Sequence, residues 1–91
     1  MLMLRGGNMV YTYRVEFETD PESKTIVVSL PTLNYTADFG STVEEALERL
    51  QVLAQGFLDL LAEQGEPIPP SDPPIEGVYL SLKLEHEPLP A

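Results

Sequence analysis

The run Phe39-Gly40-Ser41-Thr42-Val43-Glu44-Glu45-Ala46-Leu47 constrains the fold more than any other stretch, because it fixes where a long helix begins. Thr42 can accept a hydrogen bond from the backbone N–H of Glu45, and the Glu45 side chain can reach back to the N–H of Thr42, which makes a capping box. From Val43 to about Gln64, residues Val43, Ala46, Leu47, Leu50, Leu53, Ala54, Phe57, Leu58, Leu60 and Leu61 fall on one stripe, roughly 160° wide at about 100° per residue. Glu44, Glu45, Glu48, Gln51, Gln55, Asp59 and Glu63 fall opposite. Gly65 is placed to cap the C-terminus, and Pro67 forbids continuation. Gly56 sits inside the helix at a cost of about 1 kcal/mol relative to alanine, which close packing at the edge of the stripe, or tolerated weakness, would explain.

Strands flank this helix. Residues 10–18 alternate, with Tyr11, Tyr13, Val15 and Phe17 on one face and Thr12, Arg14, Glu16 and Glu18 on the other, the pattern of a strand with one buried face. Asp20-Pro21-Glu22-Ser23 reads as a turn. A second strand, Thr25 to Leu30, aligns Ile26, Val28 and Leu30, and Pro31-Thr32-Leu33-Asn34 stops it. A third, about 35–39, aligns Tyr35, Ala37 and Phe39. After the helix, the connector 66–74 is stiff, since five of the eight residues 67–74 are proline. It reads as an extended spacer returning the chain to the sheet rather than a ligand for an aromatic groove. Residues 77–85 alternate again, with Val78, Leu80, Leu82 and Leu84 against Tyr79, Ser81, Lys83 and Glu85. The order β-β-β-α-β predicts an α+β domain over 10–85, a small, mainly antiparallel sheet with one long helix packed on one face. Residues 1–9 and 86–91 are expected to be a flexible N-terminus and a loose tail, and Met9 is a second candidate start.

With 91 residues the chain makes one small domain, which buries only about 60–65% of its unfolded surface. Oligomerisation would help it. There is no cysteine, so disulfides and thiolate metal sites are excluded, in keeping with a reducing cytoplasm. The N-terminal apolar run is too short for a secretory signal, and no segment is long enough to span a membrane. Five basic residues against fifteen acidic ones give a formal charge of −10. That balance repels nucleic acid and anionic membranes and suits solubility or a basic partner.

The residues offer little to an enzyme. Two-metal hydrolysis needs converging carboxylates. Glu16 and Glu18 share a strand face, but Arg14 shares it too, and Asp20 and Glu22 fall in a turn. His86 is the one histidine, so no imidazole set exists to hold a metal. The serines have no histidine base near them in sequence, and Arg5-Gly6-Gly7-Asn8 lacks phosphate-loop spacing. No catalytic residue, cofactor or metal is expected.

Taken together, strand–Leu30-Pro31–strand–Gly40-Ser41-Thr42-Val43-Glu44-Glu45-Ala46-Leu47–helix–Gly65-Glu66-Pro67-Ile68-Pro69 resembles the HicB family of antitoxin-like proteins over about residues 11–72. The resemblance implies a partly eroded ribonuclease H-like fold without nuclease carboxylates, homodimers, and a small basic HicA-like ribonuclease as the protein that is covered and silenced. Many such antitoxins carry a further DNA-binding segment. Residues 75–91 hold one strand and a tail, so direct nucleic-acid contact is not expected of them. The pair Asn34-Tyr35 also departs from the family, where glycine and a small residue are common.

The leading expectation is therefore a non-enzymatic module that sequesters a basic toxin. Glu44, Glu48 and Asp59 on the helix would form the rim that steers the encounter, and an apolar patch near Tyr79 would supply affinity. Val10, Val27 and Tyr79 on the wet strand faces also suggest self-association. The alternatives are an orphan oligomeric interaction domain without a toxin and a ribonuclease H-like nuclease.

Overall fold

In the computed structural model, which describes residues 9–84, the chain runs β1 (Met9–Arg14), β2 (Glu16–Thr19), β3 (Ile26–Leu30), β4 (Thr36–Gly40), α1 (Val43–Glu63) and β5 (Tyr79–Leu84). The fold is α+β with antiparallel strands and one helix, as the sequence pattern requires. The expected tail 86–91, with His86, and residues 1–8 lie outside the described residues, while Met9 already belongs to β1.

The single strand expected over 10–18 is two strands, because its halves find different neighbours. β1 pairs with β5, Met9 opposite Leu84 and Arg14 opposite Tyr79. β2 pairs with β3, and β3 with β4, so that Phe17 faces Val28 and Val27 faces Phe39. Val15 is the joint, and its N–H still donates to the Val78 carbonyl at 2.8 Å.

The proline-rich connector docks along the edge of β1 that points away from β5. Proline has no N–H and cannot build a ladder, so Ser71 and Asp72 substitute for one. The N–H of Thr12 donates to Ser71 Oγ at 2.9 Å, and that of Arg14 to Asp72 Oδ2 at 2.7 Å. Asp72 N–H donates to the Thr12 carbonyl at 2.9 Å, and Thr32 Oγ1 donates to Asp72 Oδ1 at 2.6 Å. The Thr32 hydroxyl, followed by the Arg14 N–H and charge, holds the Asp72 carboxyl below the usual carboxylate range. Two tyrosines complete the seam. Tyr13 donates to the Pro69 carbonyl at 2.6 Å, and burial pushes its phenol up to about 12. Tyr79 donates to the Pro73 carbonyl at 2.9 Å while accepting from Ile75 N–H at 3.0 Å.

The helix start differs from the expected capping box by one residue. Thr42 Oγ1 accepts from Glu45 N–H at 3.0 Å as expected. Glu45 Oε1, however, takes the N–H of Ser41 at 2.7 Å and its hydroxyl at 3.0 Å, which lowers the Glu45 pKa. At the far end Gly65 has φ of 69°. Its N–H donates to the Ala62 carbonyl and that of Glu66 to the Leu61 carbonyl, a Schellman cap that satisfies two terminal carbonyls.

α1 buries Ala46, Leu50, Ala54 and Leu58 against Tyr13, Val15, Val28, Leu30, Leu82 and Leu84. Leu33, in the turn after β3, fills the same core. The expected stripe is rotated. Val43, Leu53 and Leu60 are exposed, whereas Gln51 and Gln55, expected on the wet face, are half-buried. Their amides explain the rotation. Gln51 Nε2 donates to the Ser81 carbonyl at 3.2 Å, Gln55 Nε2 to the Lys83 carbonyl at 2.5 Å, and Lys83 N–H to Gln55 Oε1 at 3.1 Å. The helix therefore leans over β5 and closes its outer edge, as a bare strand edge requires.

The largest departure concerns β4. Ala37 and Phe39, which the sequence pattern aligns with Tyr35 as the apolar side of a strand, point away from the helix, and Tyr35 lies exposed in the turn before β4. The register places Thr36, Asp38 and Gly40 opposite Leu30, Val28 and Ile26 on the helix side. Gly40 sets this choice, because a Cβ there would come within 2.7 Å of the Ala46 backbone nitrogen. Only a glycine admits the first turn of α1 so close to the strand, and a strand has period two, so one fixed position turns every side chain. Phe17 shares the helix-side face with Val28, but all of β2 lies beyond the helix's cover and is exposed.

Candidate partner-binding face

The consequence is an uncovered apolar surface on the outside of β2–β3–β4. Pairing puts Glu18, Val27 and Phe39 in one row and Glu16, Ser29 and Ala37 in the next. Phe39 is 54% exposed, and Tyr35, at the end of the β3–β4 turn, is 74% exposed. Two shallow concavities flank Val27. One, of about 360 Å³, is walled by Ala37, Phe39, Asp20 and Asp38. The other, of about 320 Å³, is walled by Glu16, Glu18, Ser29 and Tyr35.

Its margin is acidic. Asp20 takes the N–H of Glu22 at 2.9 Å, and this bond chiefly lowers its pKa. Glu16 is paired with Arg14 at 2.9 Å, while Glu18 has no ion pair among the described residues. Arg49 reaches from the helix to place its guanidinium 5.6 Å from the Phe39 ring centre. The face thus has an apolar centre edged by Glu16, Glu18, Asp20 and Asp38, with Arg14 and Arg49 at its margin.

Tyr35 carries backbone strain as well. Asn34 and Tyr35 both have φ of 55°. The left-handed region suits asparagine but is unusual for a bulky aromatic residue. A side chain costs stability here, and its ring lies in solvent.

The residues expected to form a site are placed as follows. Glu44, Glu48 and Asp59 are exposed on α1, on the opposite layer from the outer sheet face. Glu44 lies in the first helical turn, beside the positive end of the helix dipole. Asp59 Oδ1 accepts from Gln55 Nε2 at 3.1 Å. Tyr79 is half-buried, with its hydroxyl committed to the connector. Val10 is exposed on the β1–β5 half, and only Val27 of the wet-face group belongs to the candidate surface. Alternation alone misses Phe39 and Tyr35, because the signal that sets its phase is Gly40.

Among the described residues, no group of three or more histidine, cysteine, aspartate or glutamate side chains is placed to hold a metal ion, and no helix is long and apolar enough to cross a membrane. No protein-family model, curated protein or solved structure matches the chain.

Proposed function

We propose that this chain is a non-enzymatic, cytoplasmic binding module that captures a small basic protein on the outer face of β2–β3–β4, in the manner of a HicB-like antitoxin covering a HicA-like ribonuclease. The observation that carries this reading is the open patch of Val27, Phe39 and Ala37 with Tyr35 beside it, bounded by Glu16, Glu18 and Asp20. Apolar anchors surrounded by charge are the usual anatomy of an interface hot spot. The formal charge of −10 favours a cationic partner and disfavours nucleic acid. Strain kept at Tyr35 while its ring stays exposed supports the same face.

Glu44, Glu48 and Asp59 contribute to the field that draws the partner in, without touching it. Reversing their charge slows association and flattens its salt dependence, because exposed charges are screened beyond a Debye length of about 10 Å at 0.1 M salt. Affinity resides in Phe39 and Tyr35.

The test is co-expression with the product of the adjacent gene, followed by growth and pull-down. A basic neighbour that is toxic alone, is silenced by this chain and co-purifies with it supports the reading. Phe39→Glu should then abolish capture in a protein whose circular dichroism is unchanged. A neighbour that is harmless and does not co-purify replaces the antitoxin reading with that of an orphan interaction domain. No hydrolysis of RNA, DNA or hybrid is expected with Mg²⁺ or Mn²⁺. Cleavage lost in Glu16→Gln or Glu18→Gln would establish a nuclease instead.

A further inference from the structure

β4 is an end strand of its sheet, and the ladder fixes which of its backbone groups face outward. Asp20 N–H donates to the Thr25 carbonyl at 2.9 Å, so β3 turns the backbone groups of residues 25, 27 and 29 toward β2. Each residue's N–H and C=O point to one side, and the side alternates along the strand. Ile26, Val28 and Leu30 therefore bond toward Gly40, Asp38 and Thr36, their partners in β4. Ala37 and Phe39 are left with backbone groups aimed away from the sheet. The Phe39 N–H agrees, since it donates to Asp38 Oδ1 at 2.8 Å. Ala37 N–H, Ala37 C=O and Phe39 C=O have no partner among the described residues.

Other edges of this chain are closed. On β5, Gln55 satisfies both backbone groups of Lys83 and Gln51 takes the Ser81 carbonyl. On β1, Ser71 and Asp72 do the same for Thr12 and Arg14. A bare edge is a template for another strand. β2 is the sheet's other end strand, but the exposed rings of Phe39 and Tyr35 lie on and beside β4.

Charge selects the occupant. A strand added antiparallel, with one residue exchanging both bonds with Ala37, sets a neighbouring residue directly opposite Asp38 in a close, non-bonded pair. Asp38 is half-buried and makes no ion pair among the described residues. Resting on the partner reading above, we propose that the basic partner adds an extended strand to the free edge of β4. That strand carries a lysine or arginine opposite Asp38, between two apolar residues that lie on the outer face beside Ala37 and Phe39. A second copy of this chain fits badly, because the register that engages both Ala37 and Phe39 sets Asp38 against Asp38, and like charges directly opposite destabilise a sheet.

The test needs no neighbouring gene. The isotope-labelled full chain is titrated to millimolar concentration with the capped peptide Lys-Thr-Val-Lys-Val-Thr-Lys and followed by amide NMR. The Ala37 amide should shift and gain protection from solvent exchange, while those of Phe17 and Thr19 stay unchanged. N-methylation of both valines should weaken binding by about tenfold or more, since it removes the donors to Ala37 C=O and Phe39 C=O. Asp38→Asn keeps the acceptor for Phe39 N–H. It should weaken binding by roughly two- to fivefold and abolish the preference for this peptide over one with a central glutamate. An Ala37 amide that does not respond, an N-methylated peptide that binds as well as its parent, or protection at Phe17 or Thr19 instead overturns the proposal. A shift at Ala37 that follows protein concentration without peptide assigns the edge to a second copy and overturns it too. Ala37→Pro, with circular dichroism to check folding, removes the outward N–H and separates the two readings. A basic neighbour captured equally by Ala37→Pro and wild type overturns the edge and leaves the outer face standing. An Ala37 response in a chain whose neighbour does not co-purify supports the edge and removes the toxin.

Discussion

The two faces of the three-stranded sheet are built from neighbouring residues of similar chemistry and have opposite fates. On the inner face, Val28 and Leu30 lie under α1 with Leu50 and Leu58 and exclude water. On the outer face, Val27, Ala37 and Phe39 alternate with them and meet no covering layer. Burial of a leucine-sized side chain is worth about 1.5–3 kcal/mol, so the inner face holds the domain together. The same kind of surface left open is free for intermolecular use. Apolar content therefore does not decide what belongs to the core. The element that lands on a face decides it.

Mutations probe this contrast, and Leu50→Ala has the largest expected effect. It should cost about 2–5 kcal/mol in urea unfolding, through the cavity it leaves. If it proves milder than Thr42→Ala, which removes a helix cap at about 1 kcal/mol, then the buried face of α1 is mis-assigned.

Asp72→Ala comes next, at about 2 kcal/mol, because it removes the acceptor of two hydrogen bonds at about 1 kcal/mol each and frees the connector that covers β1. Its pKa is lowered in the folded state, so the stabilisation its charge supplies is complete above the unfolded value of about 3.9 and fades as pH falls through the lower folded value. An acid titration of stability should therefore be flatter in Asp72→Ala than in the wild type. Equal slopes would remove Asp72 from that role.

Tyr35→Gly has the opposite sign. Relief of the left-handed strain should stabilise the fold by about 1 kcal/mol, measurable as a higher melting temperature, while partner capture falls. A destabilised Tyr35→Gly protein would mean that the ring packs on the sheet. Smallest of all is Phe39→Ser, whose effect on stability should stay within about 0.5 kcal/mol although it removes the central anchor of the outer face. A loss comparable with Leu50→Ala would show that Phe39 belongs to a core and would erase the distinction between the two faces.

Much of the fold is written in local pattern. The cap at Thr42, the stop at Gly65, the inward row Ile26, Val28 and Leu30 of β3 and the alternation of β5 follow from short-range rules that need no knowledge of neighbours. The candidate face was less legible. Tyr35, Ala37 and Phe39 make an apolar alternation identical in kind to that of β3, and period two alone cannot say which side is inside. Gln51 and Gln55 read as wet for the same reason, since a bond to the β5 edge leaves no mark on helical periodicity.

The helix and its ends, the rough places of the strands, the antiparallel α+β class, the acidic charge and the absence of cysteine chemistry all follow from the order of residues alone. These depend on backbone propensity, capping and composition, which act over a few residues or over the whole chain at once. Three features required the assembled fold. Residues 10–18 split their pairing at Val15, the proline connector stands in for a strand through Ser71 and Asp72, and β4 turns its aromatic side outward. Each is settled by a contact between segments far apart in sequence or by the fit of one backbone against another. The 2.7 Å clearance at Gly40 is the clearest instance, since a steric limit at one atom sets the facing of a whole strand.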